Sequence, residues 1–417
     1  MIERKKVLEG STAEKLCTFI VLTCLFLGAL NFVNRYYYCV YIAMAFFVIT
    51  PNRKALSNGS LMALLLFAVS MLIFNPTSHT MLTNMIRPFT YAFCYMMGAG
   101  IFNRSKNQGI SLENEERKVS VGIYVLTFGI MLHFLLNMLT NWGIGSRHVV
   151  DFWTKEEASA TSQAVLACLM IGVAMAFLFS TVGRFKKTIA IVSLGVIVAY
   201  NLVLAGRTIF MLIIIMSVVA IICMCVAKKK SITKVFFIAF FIVAVLLLIY
   251  NLNLFNIKTI VESSNFYDRF TNSQDIEADA RMTHKLAYIQ YFFKYPWGGG
   301  NIRELYGHSA HDLYLDTYDE SSIFALIAIV IYIVQSLVRM VRCFKTQSIT
   351  FKTRLLIVCV YLVCNIQFWL EPIIRGVPWL LASYCFIDGM VTNLLCQERN
   401  VRYNVVVKTN KESGEFI

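Results

Sequence analysis

Apolar residues fall in long runs separated by short, mostly basic turns, and this alternation breaks once at length, between Asn253 and about Glu320. A membrane-crossing helix needs about 20 apolar residues. By that measure the pattern predicts twelve spans, with cores near 16–33, 36–50, 59–75, 87–103, 119–139, 162–182, 188–205, 208–226, 234–252, 320–337, 353–370 and 377–395. The second is short, and the seventh and eighth nearly fuse at Gly206-Arg207. Inside the interruption, Met282, Leu286, Ile289 and Phe293 recur at helical spacing and predict a short amphipathic helix over 275–295 that lies on the membrane. Arg281, His284, Lys285, Tyr288 and Phe292 share an adjoining face; Ser273 or Asp275 starts the helix, and Pro296 with the Gly298-Gly299-Gly300 turn ends it.

Composition agrees with the pattern: of 417 residues 58% are hydrophobic and 15% charged, which excludes an ordinary water-soluble globule. The expected fold class is therefore all-α, a polytopic membrane protein of about twelve transmembrane helices in one integral membrane domain over 1–417. The formal charge of +14 does not point to a nucleic-acid partner, because the cations cluster in the turns between apolar runs. With the N-terminus inside, about two thirds of the 38 Lys and Arg lie on the cytoplasmic side, as the positive-inside bias requires. An even number of spans then puts both termini in the cytoplasm and the 253–320 loop outside. Arg4, Lys5 and Lys6 ahead of an apolar run imitate a secretory signal, but the run has no cleavage site and reads as an uncleaved first helix.

Candidate chemistry gathers on the outer side. The loop holds Arg281, Trp297 and the pair His308 and His311 followed by Asp312; outside it lie Arg207, the 141–160 segment with Arg147, and Glu371 with Arg375. Guanidinium groups offer bidentate donors to phosphate oxygens, and a neutral imidazole can take a proton from a hydroxyl. His308 and His311 with Asp312 and Asp316 have the residue types of a metal site, but no further His follows in the loop; the reading is no metal and no cofactor. The 12 cysteines lie in or beside apolar runs and the loop has none, so neither a zinc site nor surface disulfides are expected. No nucleotide-binding loop is present in the sequence.

The order of Leu204-Ala205-Gly206-Arg207-Thr208, an Arg early in a large outer loop, an aromatic-Pro-x-Gly turn at 295–300, and His-Asp-x-x-Leu at His311 to Leu315 resembles the O-antigen polymerase and O-antigen ligase superfamily. Asp151-Phe152-Trp153-Thr154 is similar to a stretch of its polymerases. The resemblance covers roughly 140–375. It implies a glycosyltransferase C-like enzyme in the bacterial plasma membrane, inverting and metal-independent, whose partners are undecaprenyl-diphosphate-linked oligosaccharides as donor and acceptor, with a separate chain-length regulator. Carried over, Arg207 and Arg281 hold the diphosphate and His311 orients or deprotonates the attacking hydroxyl. His308, Asp312, Lys285, Tyr288, Trp297, Arg147, Glu371 and Arg375 are the candidate substrate-binding residues. The family commonly has Asn where this chain has Asp312, and a carboxylate there favours the imidazolium or fixes the ring's tautomer. A polymerase, a ligase and a transporter of lipid-linked sugars are the readings carried forward.

Overall fold

The computed structural model describes residues 12–49, 58–75, 85–101, 111–142, 148–204, 206–228, 251–253, 256–262, 267 and 276–413. The helices, in order, are α1 (Thr12–Ala29), α2 (Tyr36–Ile49), α3 (Gly59–Phe74), α4 (Phe89–Gly100), α5 (Leu112–Thr140), α6 (Ala160–Phe179), α7 (Arg184–Leu204) and α8 (Arg207–Lys228). There follow α9 (Ile257–Glu262), α10 (Ile276–Tyr291), α11 (Asn301–Tyr306), α12 (Leu313–Glu320), α13 (Ile323–Lys345), α14 (Phe351–Leu370), α15 (Ile373–Gly376) and α16 (Pro378–Ser413). Two three-residue strands, β1 (His148–Val150) and β2 (Glu157–Ser159), pair antiparallel between α5 and α6.

Seven of the described helices are long and apolar enough to cross a membrane, and three shorter apolar helices, Lys15–Ala29, Tyr36–Ile49 and Gly59–Phe74, accompany them. The chain is thus an all-α protein of membrane-spanning character. Most of the predicted ninth span lies outside the described residues, as do Ser273, Asp275 and Arg147. The seventh and eighth spans are separate helices, ending at Leu204 and beginning at Arg207.

The tenth span differs from its prediction. The expected core at 320–337 begins later and runs to Lys345, because Asp312 caps the separate helix α12, which stops at Glu320. The further turns are possible because Arg339, which would break an apolar span, finds a partner: its Nε and Nη2 donate to Asp388 of α16 at 2.8 and 2.5 Å. Tyr361 donates to the same carboxylate at 2.8 Å, and Arg339 Nη1 to Ser60 at 2.6 Å. A charge inside a membrane bundle is tolerated when paired and hydrogen-bonded in this way.

Helices α6, α14 and the Pro378–Val401 part of α16 form the centre, with 83, 72 and 83% of their apolar stretches buried inside the protein. The tightest crossing is that of α4 on α16, where a Cβ on Gly98 would overlap the Phe386 carbonyl and one on Gly389 the Tyr95 carbonyl. Only glycine allows that approach.

Two ends of the bundle are chemically distinct. At one, Glu116 of α5 accepts from the Thr350 amide at 3.0 Å and the Thr353 hydroxyl at 2.7 Å, joining the 111–118 and 345–354 basic turns. At the other, Ser70 meets Ser322 at 2.8 Å, Trp153 donates to the Leu30 carbonyl at 3.1 Å, and Lys285 donates to the Trp369 carbonyl at 2.8 Å. The polar loop sits on this second end.

Candidate functional site

From α10 to α13 the loop folds around a small core of its own: Tyr288, Ile302, Ala310 and Tyr318, flanked by Tyr291, Phe292, Tyr295, Leu315, Ile323 and Leu326. Tyrosines suit this place because the ring fills the interior while the hydroxyl satisfies backbone carbonyls. Tyr318 donates to the carbonyls of Phe292 and Tyr295 at 2.5 and 2.6 Å, and Tyr288 to that of His308 at 2.9 Å. The inward face of α10 is therefore the Ala287 and Tyr288 face. The apolar stripe points out of the protein, with Leu286, Ile289 and Phe293 exposed by 51, 57 and 88%. The helix itself ends at Tyr291, before the expected Pro296 stop. Gly298, Gly299 and Gly300 form the expected turn, all at positive φ. A Cβ on Gly298 would overlap the Tyr318 carbonyl, so the turn can lie flat on the end of α12.

Three imidazoles meet beside this core. His284 of α10 stacks on His308 with ring centroids 4.6 Å apart and on His311 at 6.4 Å. Burial, and then the neighbouring His308, hold the His284 imidazole below its ordinary pKa, and its Nδ1 is buried without a hydrogen-bond partner among the described residues. A neutral ring of that kind is a proton acceptor near pH 7. His311 has a φ of 59°, a left-handed conformation uncommon outside glycine. The His284 ring lies nearly parallel to both, at 11° to His308 and 22° to His311. Among the described residues no cluster of three His, Cys, Asp or Glu has the arrangement of a metal site.

Helix α12 carries four carboxylates behind the histidines. Asp312 caps the helix, accepting from the amides of Tyr314 and Leu315 at 3.0 and 2.8 Å, and lies 3.2 Å from the Lys285 ammonium. The Asp312 carboxylate thus serves the helix start and Lys285, which accounts for Asp at this position. Burial pushes its pKa up, against the pull of the Leu315 amide and Lys285. Asp316 accepts from the Ala310 amide at 3.0 Å and so ties down the His308 to His311 segment. It is fully buried; burial, opposed by Arg375 and assisted by Asp312 and Glu320, pushes its pKa up to about 7. Asp319 and Glu320 are raised by burial too, and both pair with Arg375, Asp319 at 3.5 Å.

Arg375 leads into a cleft of about 300 Å³ between loop and bundle. Its wall is apolar in Phe67, Met71 and Ile374, and Arg87, Arg303, Arg375 and Glu320 line it with charge. Arg87 lies over the Tyr37 ring at 5.0 Å from its centroid, and neither Arg87 nor Arg303 has a carboxylate within ion-pair distance among the described residues. Tyr288 links the cleft to the histidines, since its hydroxyl approaches Asp319 at 3.5 Å while bonding to His308.

The other expected residues fall as follows. Arg281 lies within α10, and Arg207 opens α8, half-buried, where α8 packs against α6 and α14. Glu371 is buried at the end of α14. Trp297 stacks on Phe74 at 5.2 Å and tilts against Phe324, at the level where the spans begin. The Asp151 to Thr154 stretch is held as a turn on α5: Asp151 meets His133 at 2.8 Å and Asn137 at 3.4 Å, and Asn141 brackets Val150 through both its amide groups at 2.8 Å. Burial raises the Asp151 carboxyl, but His133 and the Thr154 and Trp153 amides outweigh it and hold the group well below the usual range. His284, Arg87 and Arg303 were not among the expected site residues. The signal for His284 is its place one turn from Tyr288 on the inward face; nothing in the sequence joins Arg87 to Arg303.

Fold and site together define a helical membrane protein that closes one end of its bundle with a polar, histidine- and arginine-bearing loop. Compared with known proteins, the chain matches no family model and no curated protein.

Proposed function

We propose that this chain is a polysaccharide polymerase of the plasma membrane of a bacterium, transferring a glycan from an undecaprenyl-diphosphate donor to a sugar hydroxyl of another lipid-linked repeat unit. The observation that carries the reading is the three-guanidinium cleft beside a stack of imidazoles, on the end of the bundle away from the basic turns. Arginines suit a diphosphate leaving group, and a neutral imidazole suits the acceptor hydroxyl. In the proposed step the hydroxyl oxygen attacks the anomeric carbon from the face opposite the diphosphate. The carbon–oxygen bond to phosphate breaks, its electron pair leaves with the diphosphate, and the hydroxyl proton passes to His311 or to its stacked neighbours. Inversion follows from the attack, and the guanidiniums replace a metal in neutralising the leaving group. Arg87, Arg303 and Arg375 of the cleft join Arg207 and Arg281 as holders of the phosphates. Twelve spans, with both termini in the cytoplasm and the loop outside, complete the proposal.

A ligase that moves the finished glycan to a surface acceptor would use the same groups. The transporter reading finds one favourable feature in the intramembrane Arg339 and Asp388, but these charges are spent on each other. The test is glycan length in cells carrying Arg207→Ala, Arg281→Ala, Arg303→Ala or His311→Ala at normal protein level. Each is expected to leave single repeats in place of long chains; unchanged chain length in all four would end the proposal.

A further inference from the structure

A second cleft, of about 420 Å³, opens at the end of the bundle opposite the loop. Within the size range of small-molecule sites, about 300–1,000 Å³, it is enclosed by one face of α5 (Glu113, Arg117, Ser120, Val121, Tyr124), the end of α6 with Phe177, Lys186 of α7, and Lys352 and Leu356 of α14. Its charge is unevenly used. Glu116 is buried and spends its carboxylate on Thr350 and Thr353, and so on the start of α14. Glu113 remains on the rim against three cations, Arg117, Lys186 and Lys352. Lys186 is fixed over aromatic faces, its ammonium 5.1 Å from the Tyr124 centroid and 5.5 Å from that of Phe177. Below the cations the lining turns apolar, through Val121, Phe177 and Leu356. Cations at the mouth and an apolar floor between spanning helices match an amphiphile with a phosphate headgroup better than a soluble anion.

We propose that this cleft is a binding site for an anionic phospholipid of the leaflet on the basic side, its phosphate held by Arg117, Lys186 and Lys352 and an acyl chain laid over Val121, Phe177 and Leu356. The site is independent of the glycan-transferring end, so its lipid is a structural ligand and not a substrate. The full chain, purified in mild detergent and titrated with dioleoylphosphatidylglycerol, is followed by native mass spectrometry for retained lipid. Wild type is expected to retain one lipid in preference to dioleoylphosphatidylcholine. Lys186→Gln and Lys352→Gln are each expected to weaken retention about fivefold, taking roughly 1 kcal/mol for each cation near a lipid surface. Lys187→Gln, a neighbouring cation that does not line the cleft, is expected to leave it unchanged. Wild-type retention in both cleft variants, or an equal loss in the Lys187 control, overturns the site. Competition by millimolar inorganic phosphate as effective as the lipid overturns the lipid assignment in favour of a soluble anion.

Discussion

Asp316→Asn isolates the group that couples the histidine segment to pH. The native carboxyl is fully buried, accepts the Ala310 amide at 3.0 Å and titrates near 7, against an ordinary 3.8. A carboxyl with a raised folded pKa binds its proton more tightly in the folded state, so its contribution is present at low pH and is lost as pH rises through about 7. A shift from 3.8 to about 7, at about 1.4 kcal/mol per unit, gives at most about 4 kcal/mol between pH 4 and pH 8. Asparagine keeps the acceptor for Ala310 but cannot ionise. The variant is therefore expected to match wild type near pH 4 and to hold the loop more tightly at pH 8, by about 2–4 kcal/mol. Hydrogen exchange of loop peptides over 284–320, with the two proteins compared at the same pH so that intrinsic rates cancel, reads the difference. Asp316→Ala, which also strands the Ala310 amide, should weaken the loop by about 1–3 kcal/mol relative to the Asn variant at every pH. A ratio of protection between wild type and Asp316→Asn that stays constant from pH 5 to pH 8 would refute the reasoning.

Three further outcomes are expected. Gly298→Ala forces a side chain into the Tyr318 carbonyl at a φ of 55° and should cost at least about 1–3 kcal/mol, visible as faster protease cleavage of the loop. Arg339→Ala or Asp388→Ala alone should each cost about 3–5 kcal/mol, whereas Arg339→Met with Asp388→Leu should recover most of it; thermal loss of the monodisperse chromatographic peak measures both, and a double variant no better than the singles contradicts the pairing. His133→Phe keeps a ring against Trp379 but removes the partner of Asp151, and should loosen the 148–159 turn by about 1–3 kcal/mol, read as trypsin cleavage at Lys155.

The helices were legible because a spanning helix must be apolar along its length, and that signal needs no knowledge of neighbours. Boundaries slipped where a polar residue had a hidden partner: Arg339 reads as a stop until Asp388 answers it. In α10 the helix was evident, but which face turns inward was not, because Tyr288 is held by the carbonyl of His308, a contact made only on folding. Asp312 illustrates the same limit, since its cap to Leu315 lies at ordinary N-cap spacing while its role beside Lys285 depends on how α10 crosses. The polar series His133, Asn137, Asn141 repeats every fourth residue in the sequence, but that it holds the Asp151 turn is seen only once the chain is folded. The cleft of Arg87, Arg303 and Arg375 draws on three distant segments, and no local pattern announces it.

The most direct measurement is made on the purified full chain in detergent, given a synthetic lipid-diphosphate-linked repeat unit and no second compartment. Electrophoretic separation of the products should show a ladder of lipid-linked oligomers that rises by one repeat at a time and vanishes in His311→Ala. A single unextended band from folded wild-type protein, with or without added chain-length regulator, would contradict the account.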